Sequence, residues 1–224
     1  MPPLIPENLV AEALITAVLA VYVLSVIALT KPLYDVLVSR NMTPIRAKYF
    51  NRKIIHIAAG GVVALLVPFI YSTPLLPFLA SLAITALLAS ARRFRLLDWF
   101  QVPDNHYEVN FTVMWGLSIL VLWLALGSPY LAVLPALYMS FGDGVTGIVR
   151  NIVVKTRSKH WSGNLAMALV SVPLGFLYGG LVGVVSAIVA SVVERFEFNP
   201  VDDNVLVPLS SMAVILVLAP ALVM

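Results

Sequence analysis

The chain reads as a series of apolar runs joined by two kinds of connection. The runs cover residues 9–29, 54–71, 75–91, 111–126, 130–149, 165–178, 181–193 and 205–223. A bilayer hydrocarbon core of about 30 Å takes roughly 20 helical residues, with broken or tilted exceptions. The pattern therefore predicts an all-α, polytopic membrane helix bundle. The seventh run is short and meets the sixth at Tyr178-Gly179-Gly180, which reads as a tight hairpin or as one long bent element. The count is eight spans, with seven as the alternative.

Loop length alternates along the chain. Tight turns at Ser72-Thr73-Pro74, Gly127-Ser128-Pro129 and Gly179-Gly180 join successive runs, and long polar connections fill the other gaps. All 14 Lys and Arg residues fall in the long connections. Under the positive-inside rule these connections, residues 30–53, 91–110, 150–164 and 194–204, are expected in the cytoplasm and both termini outside. An odd number of spans would break the alternation, so the charge pattern also favours eight.

Composition agrees. With 61% hydrophobic and 11% charged residues and a mean hydropathy of +0.98, the chain lies outside the soluble globular range. It reads as a single integral membrane domain over residues 1–224, with no soluble domain, linker or repeat and no cleavable leader. The absence of cysteine excludes disulfides and thiolate metal sites. A net charge of +3 is too modest to point to nucleic acid.

Polar residues gather at one level. A helix entering at Tyr130 reaches Asp143 after roughly 20 Å, in the inner part of the membrane. Arg52, Lys53 and His56 start the second run, Glu108 and Asn110 start the fourth, Glu194 ends the seventh, and Asp202, Asp203 and Asn204 lead into the eighth. An ionisable group inside a span is costly unless paired or hydrated, so these residues outline a polar pocket at the cytoplasmic face. The carboxylates Glu108, Asp143, Glu194, Asp202 and Asp203 are hard oxygen donors suited to Mg²⁺ or Mn²⁺ on a phosphate substrate. Arg52, Lys53, Arg150, Lys155, Arg157 and Lys159 supply cations that grip phosphate oxygens. His56 or Asn204 is suited to orienting a hydroxyl. Gly142 and Gly144, flanking Asp143, permit close backbone approach to a ligand.

Plainer readings compete. Gly142, Gly144 and Gly147 also fit the small-residue spacing of packed membrane helices. Their match to a dinucleotide-binding fingerprint lacks the βαβ context and is rejected. Topology and anionic lipid account for much of the basic charge. His56 alone reads as an interhelical hydrogen-bonding residue, Glu12 as structural or interfacial, and Trp99, Trp161 and Tyr107 as an interfacial aromatic belt.

The order of motifs adds a further expectation. Arg52-Lys53-Ile54-Ile55-His56, Glu108, Phe141-Gly142-Asp143-Gly144, Lys159-His160-Trp161-Ser162-Gly163-Asn164, Glu194 and Asp202-Asp203-Asn204 through Pro208 occur in that sequence along the chain. This series resembles the polyprenol kinase family, which includes the dolichol and phytol kinases and is distantly similar to the CTP-using phosphatidate cytidylyltransferases. The resemblance implies a multi-span enzyme that moves the terminal phosphate of CTP to an isoprenoid alcohol. By the same resemblance, Asp143 corresponds to the catalytic or metal aspartate and Lys159, Ser162 and Gly163 to a nucleotide-binding loop. Arg52, Lys53 and His56 correspond to the family's R-K-x-x-H, and Asp203 with Asn204 to its late D-N pair. The chain departs from the family at Val153-Val154, where a glycine-containing basic turn is usual, and at Ser162, where an acid is usual.

These readings combine into one expectation. A CTP-dependent kinase acts on phytol, geranylgeraniol or a dolichol-like polyprenol, in the cell membrane of a prokaryote with its site on the cytoplasmic side. Asp143, Lys159 and His56 are the catalytic candidates. Arg52, Lys53, Gly142, Gly144, Arg157, Lys159, Ser162, Gly163 and Asn204 are the nucleotide-binding candidates, and Asp143, Glu108, Asp203 and Glu194 the metal ligands. The alternatives are a lipid-phosphate cytidylyltransferase and a lipid transporter. Glycine-spaced faces at Gly175, Gly179 and Gly183 leave room for a homodimer.

Overall fold

A computed structural model of the protein describes residues 3–102, 105–153, 160–196 and 201–223. Two of the expected site residues, Arg157 and Lys159, lie outside the described residues, as does Lys155. Among the described residues the structure is a helix bundle, and seven of its helices are long and apolar enough to cross a membrane. They are α1 (Leu9–Ser39), α2 (Pro44–Ile70), α3 (Leu75–Arg93), α4 (Tyr107–Leu126), α5 (Pro129–Val153), a sixth element, Trp161–Val193, and a last helix beginning at Asp203.

The sixth element is two legs. Gly180 has φ 54° and ψ −137°, a conformation closed to side-chain-bearing residues, and it folds the helix back on itself. Asn164, near one end, donates from Nδ2 to the Ser191 carbonyl near the other at 2.6 Å, although a straight helix would hold these residues about 40 Å apart. A Cβ on Gly175 would meet the Gly183 carbonyl carbon at 2.7 Å, so the legs pack backbone to backbone where only glycine fits. Residues 161–179 and 181–193 are therefore α6 and α7, and the final helix, Asp203–Val223, is α8. With this hairpin the described residues form eight helical legs from seven helices of membrane length.

Burial ranks the helices. In the most apolar window of α5, 78% of residues are buried, against 11% in α1, so α5 is the axis and α1 a peripheral wall. Leu134, Leu137 and Tyr138 of α5 pack with Ile119 and Leu122 of α4 and Ile215 of α8. The Tyr138 hydroxyl donates to the Gly183 carbonyl at 2.8 Å, joining α5 to the hairpin.

The connections are shorter than the polar runs suggest. The expected loop over residues 30–53 is mostly helix, because α1 continues to Ser39 and α2 starts at Pro44. The extension of α1 carries an exposed i,i+4 pair, Lys31 to Asp35 at 2.6 Å, which suits a helix emerging into water. Asn41, at φ 63°, makes the turn. Between α3 and α4 the chain is pinned to the bundle: Asn51 donates to the Thr30 and Trp99 carbonyls, and Gln101 to the Leu88 carbonyl.

The hairpin is directly testable in a chain without cysteine. Asn164→Cys combined with Ser191→Cys is expected to form an intramolecular disulfide on mild oxidation, read as a mobility shift reversed by reductant. A helix running straight through Gly180 leaves both thiols free, since a disulfide needs Cα atoms within about 7 Å.

Candidate functional site

Two helices carry the centre of the site, and each contains one π-helical turn. In α2 it spans His56–Gly61 and in α5 Tyr138–Gly142, so that the first begins at His56 and the second ends immediately before Asp143. A π-turn adds a residue to the turn and rotates the helical residues beyond it, a feature often found at functional sites. Here the two turns stand beside one another.

Glycines decide how closely the helices approach. A Cβ on Gly144 would lie 2.6 Å from Ile57 Cγ1, and one on Gly147 would lie 2.7 Å from Lys53 Cγ. The Lys53 stem therefore rests along α5, and its Nζ donates to Asp143 Oδ2 at 2.5 Å. Both side chains are almost wholly buried, at 4% and 3% exposure. His56 Nδ1 stands 3.5 Å from the same Asp143 oxygen, too far for a well-formed hydrogen bond, and has no other hydrogen-bond partner among the described residues. Its ring stacks on Phe111 with centroids 3.9 Å apart. The space over Gly142 is filled by Met167 and Ser171. The close approach that these glycines allow is thus helix to helix, the plainer of the two readings of their spacing.

A second buried pair closes the polar end. Arg150 donates from Nη1 and Nη2 to the two carboxylate oxygens of Glu194, both at 2.7 Å, and from Nε to the His160 carbonyl at 3.1 Å. Asn164 accepts from Arg150 Nη2 at 3.1 Å. A Cβ on Gly163 would fall on the Arg150 guanidinium, 2.7 Å from Cζ, so this glycine seats an arginine. Ser162 lies at the start of α6, where its backbone N–H donates to His160 Nδ1. The sequence suggests Arg150 as a phosphate-gripping cation; its guanidinium is instead engaged by Glu194. Only the tertiary fold pairs residues so distant in the chain.

The acids converge in part. Asp143, Glu194 and Asp203 each offer an oxygen, all within 4.8 Å of one another. Two Mg–O bonds in line span about 4.2 Å, so this donor set suits a small hard cation with little closure. Lys53 on Asp143 and Arg150 on Glu194 already balance part of that charge. Beside them Asp202 accepts from Asn110 at 3.1 Å. Burial, and then the charge of Asp203, push the Asp202 carboxyl up to about 6. Asn204 is buried next to Asp203, its Oδ1 without a hydrogen-bond partner among the described residues.

Glu108 takes a different position from the other proposed metal ligands. It receives Arg92 Nη1 at 3.0 Å and lines a cavity bounded by α1, α2, α3 and α4. That cavity is mostly apolar along its length, at Val23, Val63 and Ile84, with Ser81 and Thr112 also lining it, and ends at Arg52, His56 and Glu108. The Arg52 guanidinium lies over the Tyr107 ring, 4.4 Å from its centroid, a cation–π contact that holds it at the cavity mouth. His56 consequently separates the cavity from Asp143. Two features escape sequence reading: the cavity, because it requires four helices, and the Arg92 partnership of Glu108, because nothing local signals it.

No protein-family model matches the chain, and the searches of curated proteins and of solved structures likewise found no match.

Unfolding in detergent tests the second pair. Arg150→Met removes the guanidinium from a buried carboxylate and is expected to cost about 3–5 kcal/mol, whereas Arg150→Met with Glu194→Leu recovers most of that loss. Equal losses in the single and double variants would mean that the pair does not act as a unit.

Proposed function

We propose that the protein is a membrane phosphotransferase that moves the terminal phosphate of a nucleoside triphosphate, with CTP as donor, to the hydroxyl of a long-chain isoprenoid alcohol. One observation carries this reading: the buried Lys53–Asp143–His56 cluster, with Glu194 and Asp203 beside it, adjoins the polar end of an apolar cavity. Acids beside cations suit a metal-bound polyanion, and an apolar cavity suits a lipid tail.

In this reading Asp143, Asp203 and Glu194 would hold Mg²⁺. The bound ion supplies charge neutralisation at the nucleotide phosphates. Lys53 neutralises charge on the transferring phosphoryl group. Arg157 and Lys159, which follow α5 in the sequence, serve the nucleotide, with Ser162 and Asn204 as polar contacts. The acceptor hydroxyl enters from the cavity. Its oxygen bonds to the γ-phosphorus as the bond to the β-phosphate oxygen breaks, and its proton passes to the imidazole of His56. Catalysis rests on positioning and electrostatics, as is usual for phosphoryl transfer. The concentration of basic residues at this end of the bundle supports a cytoplasmic location for the site.

Purified protein with γ-labelled CTP, Mg²⁺ and geranylgeraniol is expected to yield a labelled lipid monophosphate. Asp143→Asn is expected to reduce that yield by at least about a hundredfold, with size-exclusion behaviour unchanged. Failure to label with any triphosphate or prenol overturns the proposal. Transfer of label from α-labelled CTP to a lipid phosphate, with release of pyrophosphate, assigns cytidylyl transfer instead.

A further inference from the structure

The cavity has a second polar end that the phosphoryl-transfer reading does not use. Opposite Arg52, His56 and Glu108 it terminates at Thr16 of α1 and Tyr71 at the end of α2. The two hydroxyls are 2.9 Å apart, joining α1 to α2 across the cavity end. One turn away, the buried Glu12 accepts from the backbone N–H and the hydroxyl of Ser72, at 3.0 and 2.6 Å. A carboxylate held this way at 6% exposure, in the helix with the least buried window, calls for an explanation. Alongside the packing of Leu19 and the Tyr22 bond to the Ala58 carbonyl, these polar bonds tie the outer half of α1 to the bundle.

We infer that the Glu12–Ser72 and Thr16–Tyr71 contacts form a latch that closes the far end of the cavity and sets the length of the lipid chain the protein accepts. The inference rests on the proposed alcohol acceptor. His56 and Tyr71 bound the cavity on one helix about 22 Å apart at 1.5 Å per residue. That span exceeds one leaflet, about 15 Å, and falls short of the hydrocarbon core of about 30 Å. A chain with its hydroxyl at His56 therefore meets Tyr71 before it has crossed the bilayer. Geranylgeraniol and phytol fit this length, whereas a dolichol-length chain does not fit behind a closed latch.

The test reads binding without nucleotide, so that it stands apart from phosphoryl transfer. A geranylgeraniol analogue with a diazirine at its tail is photolysed with the protein in detergent, and the labelled residue is mapped by mass spectrometry. Label is expected at Thr16 or Tyr71, with competition strongest from geranylgeraniol and weaker from farnesol and from dolichol-length alcohols. Tyr71→Ala is expected to raise the relative binding of longer prenols by at least tenfold, since each methylene buried adds about fourfold. Tyr71→Trp is expected to shift preference towards farnesol. Thr16→Val, which keeps the side-chain volume and loses the hydrogen bond, is expected to move in the direction of Tyr71→Ala if that variant does not fold. A chain-length profile that is flat, or that none of the variants shifts, overturns the inference even when phosphate transfer is observed. A shifted profile without phosphate transfer supports the latch and overturns the kinase reading alone.

Discussion

Charge inside the hydrocarbon thickness has to be answered by opposite charge, and that requirement organises this bundle. Asp143 lies on the most buried helix, where an isolated carboxylate would be strongly unfavourable. Lys53 answers it from α2, and Arg150, later on α5, is answered by Glu194 at the end of α7. From positions seven residues apart on one face, the two pairs fasten α5 to two different helices. Separating either pair would leave a charge uncompensated in a medium that cannot solvate it. The positions of α2 and α7 relative to α5 are therefore electrostatic decisions as well as packing ones.

Small residues and altered helix geometry make those pairs possible. Gly144 and Gly147 let the Lys53 stem lie against α5, and Gly163 gives the Arg150 guanidinium its seat. The π-turns in α2 and α5 bring His56 and Asp143 to the same level. Each is an irregularity kept where a regular helix would aim these side chains elsewhere. Local irregularity at this end contrasts with the regular apolar packing of α4 and α5 deeper in the bundle.

The result is an axial division of labour. One end gathers acids and cations into a buried cluster, while the adjoining cavity offers mostly apolar walls, Ser81 and Thr112 excepted, until it reaches the hydroxyls of Thr16 and Tyr71. His56 stands at the junction, in contact with Phe111 on the cavity side and facing Asp143 on the other. A reaction between a water-borne polyanion and a lipid-borne hydroxyl needs such a junction. The peripheral α1, the least buried of these helices, forms one wall of that cavity.

Much was legible from the chain alone. Apolar runs of membrane length dictated an all-helical membrane bundle, because the hydrocarbon core leaves a lone segment no other way to satisfy its backbone polar groups. The alternation of tight and long connections favoured eight spans over seven; among the described residues seven helices are of membrane length, one of them folded into two legs at Gly180. The level of the polar residues along each run anticipated the meeting of Lys53, His56, Asp143, Glu194 and Asp203, since helical rise converts position into depth. Partnership was beyond it: Arg150 with Glu194, Arg92 with Glu108, and glycines that seat side chains of this same chain. Depth is a property of one helix and can be counted along it. Which charges neutralise one another, and where four helices leave a cavity, depends on rotation and neighbour order, and those are decided only when every buried charge in the bundle is satisfied at once.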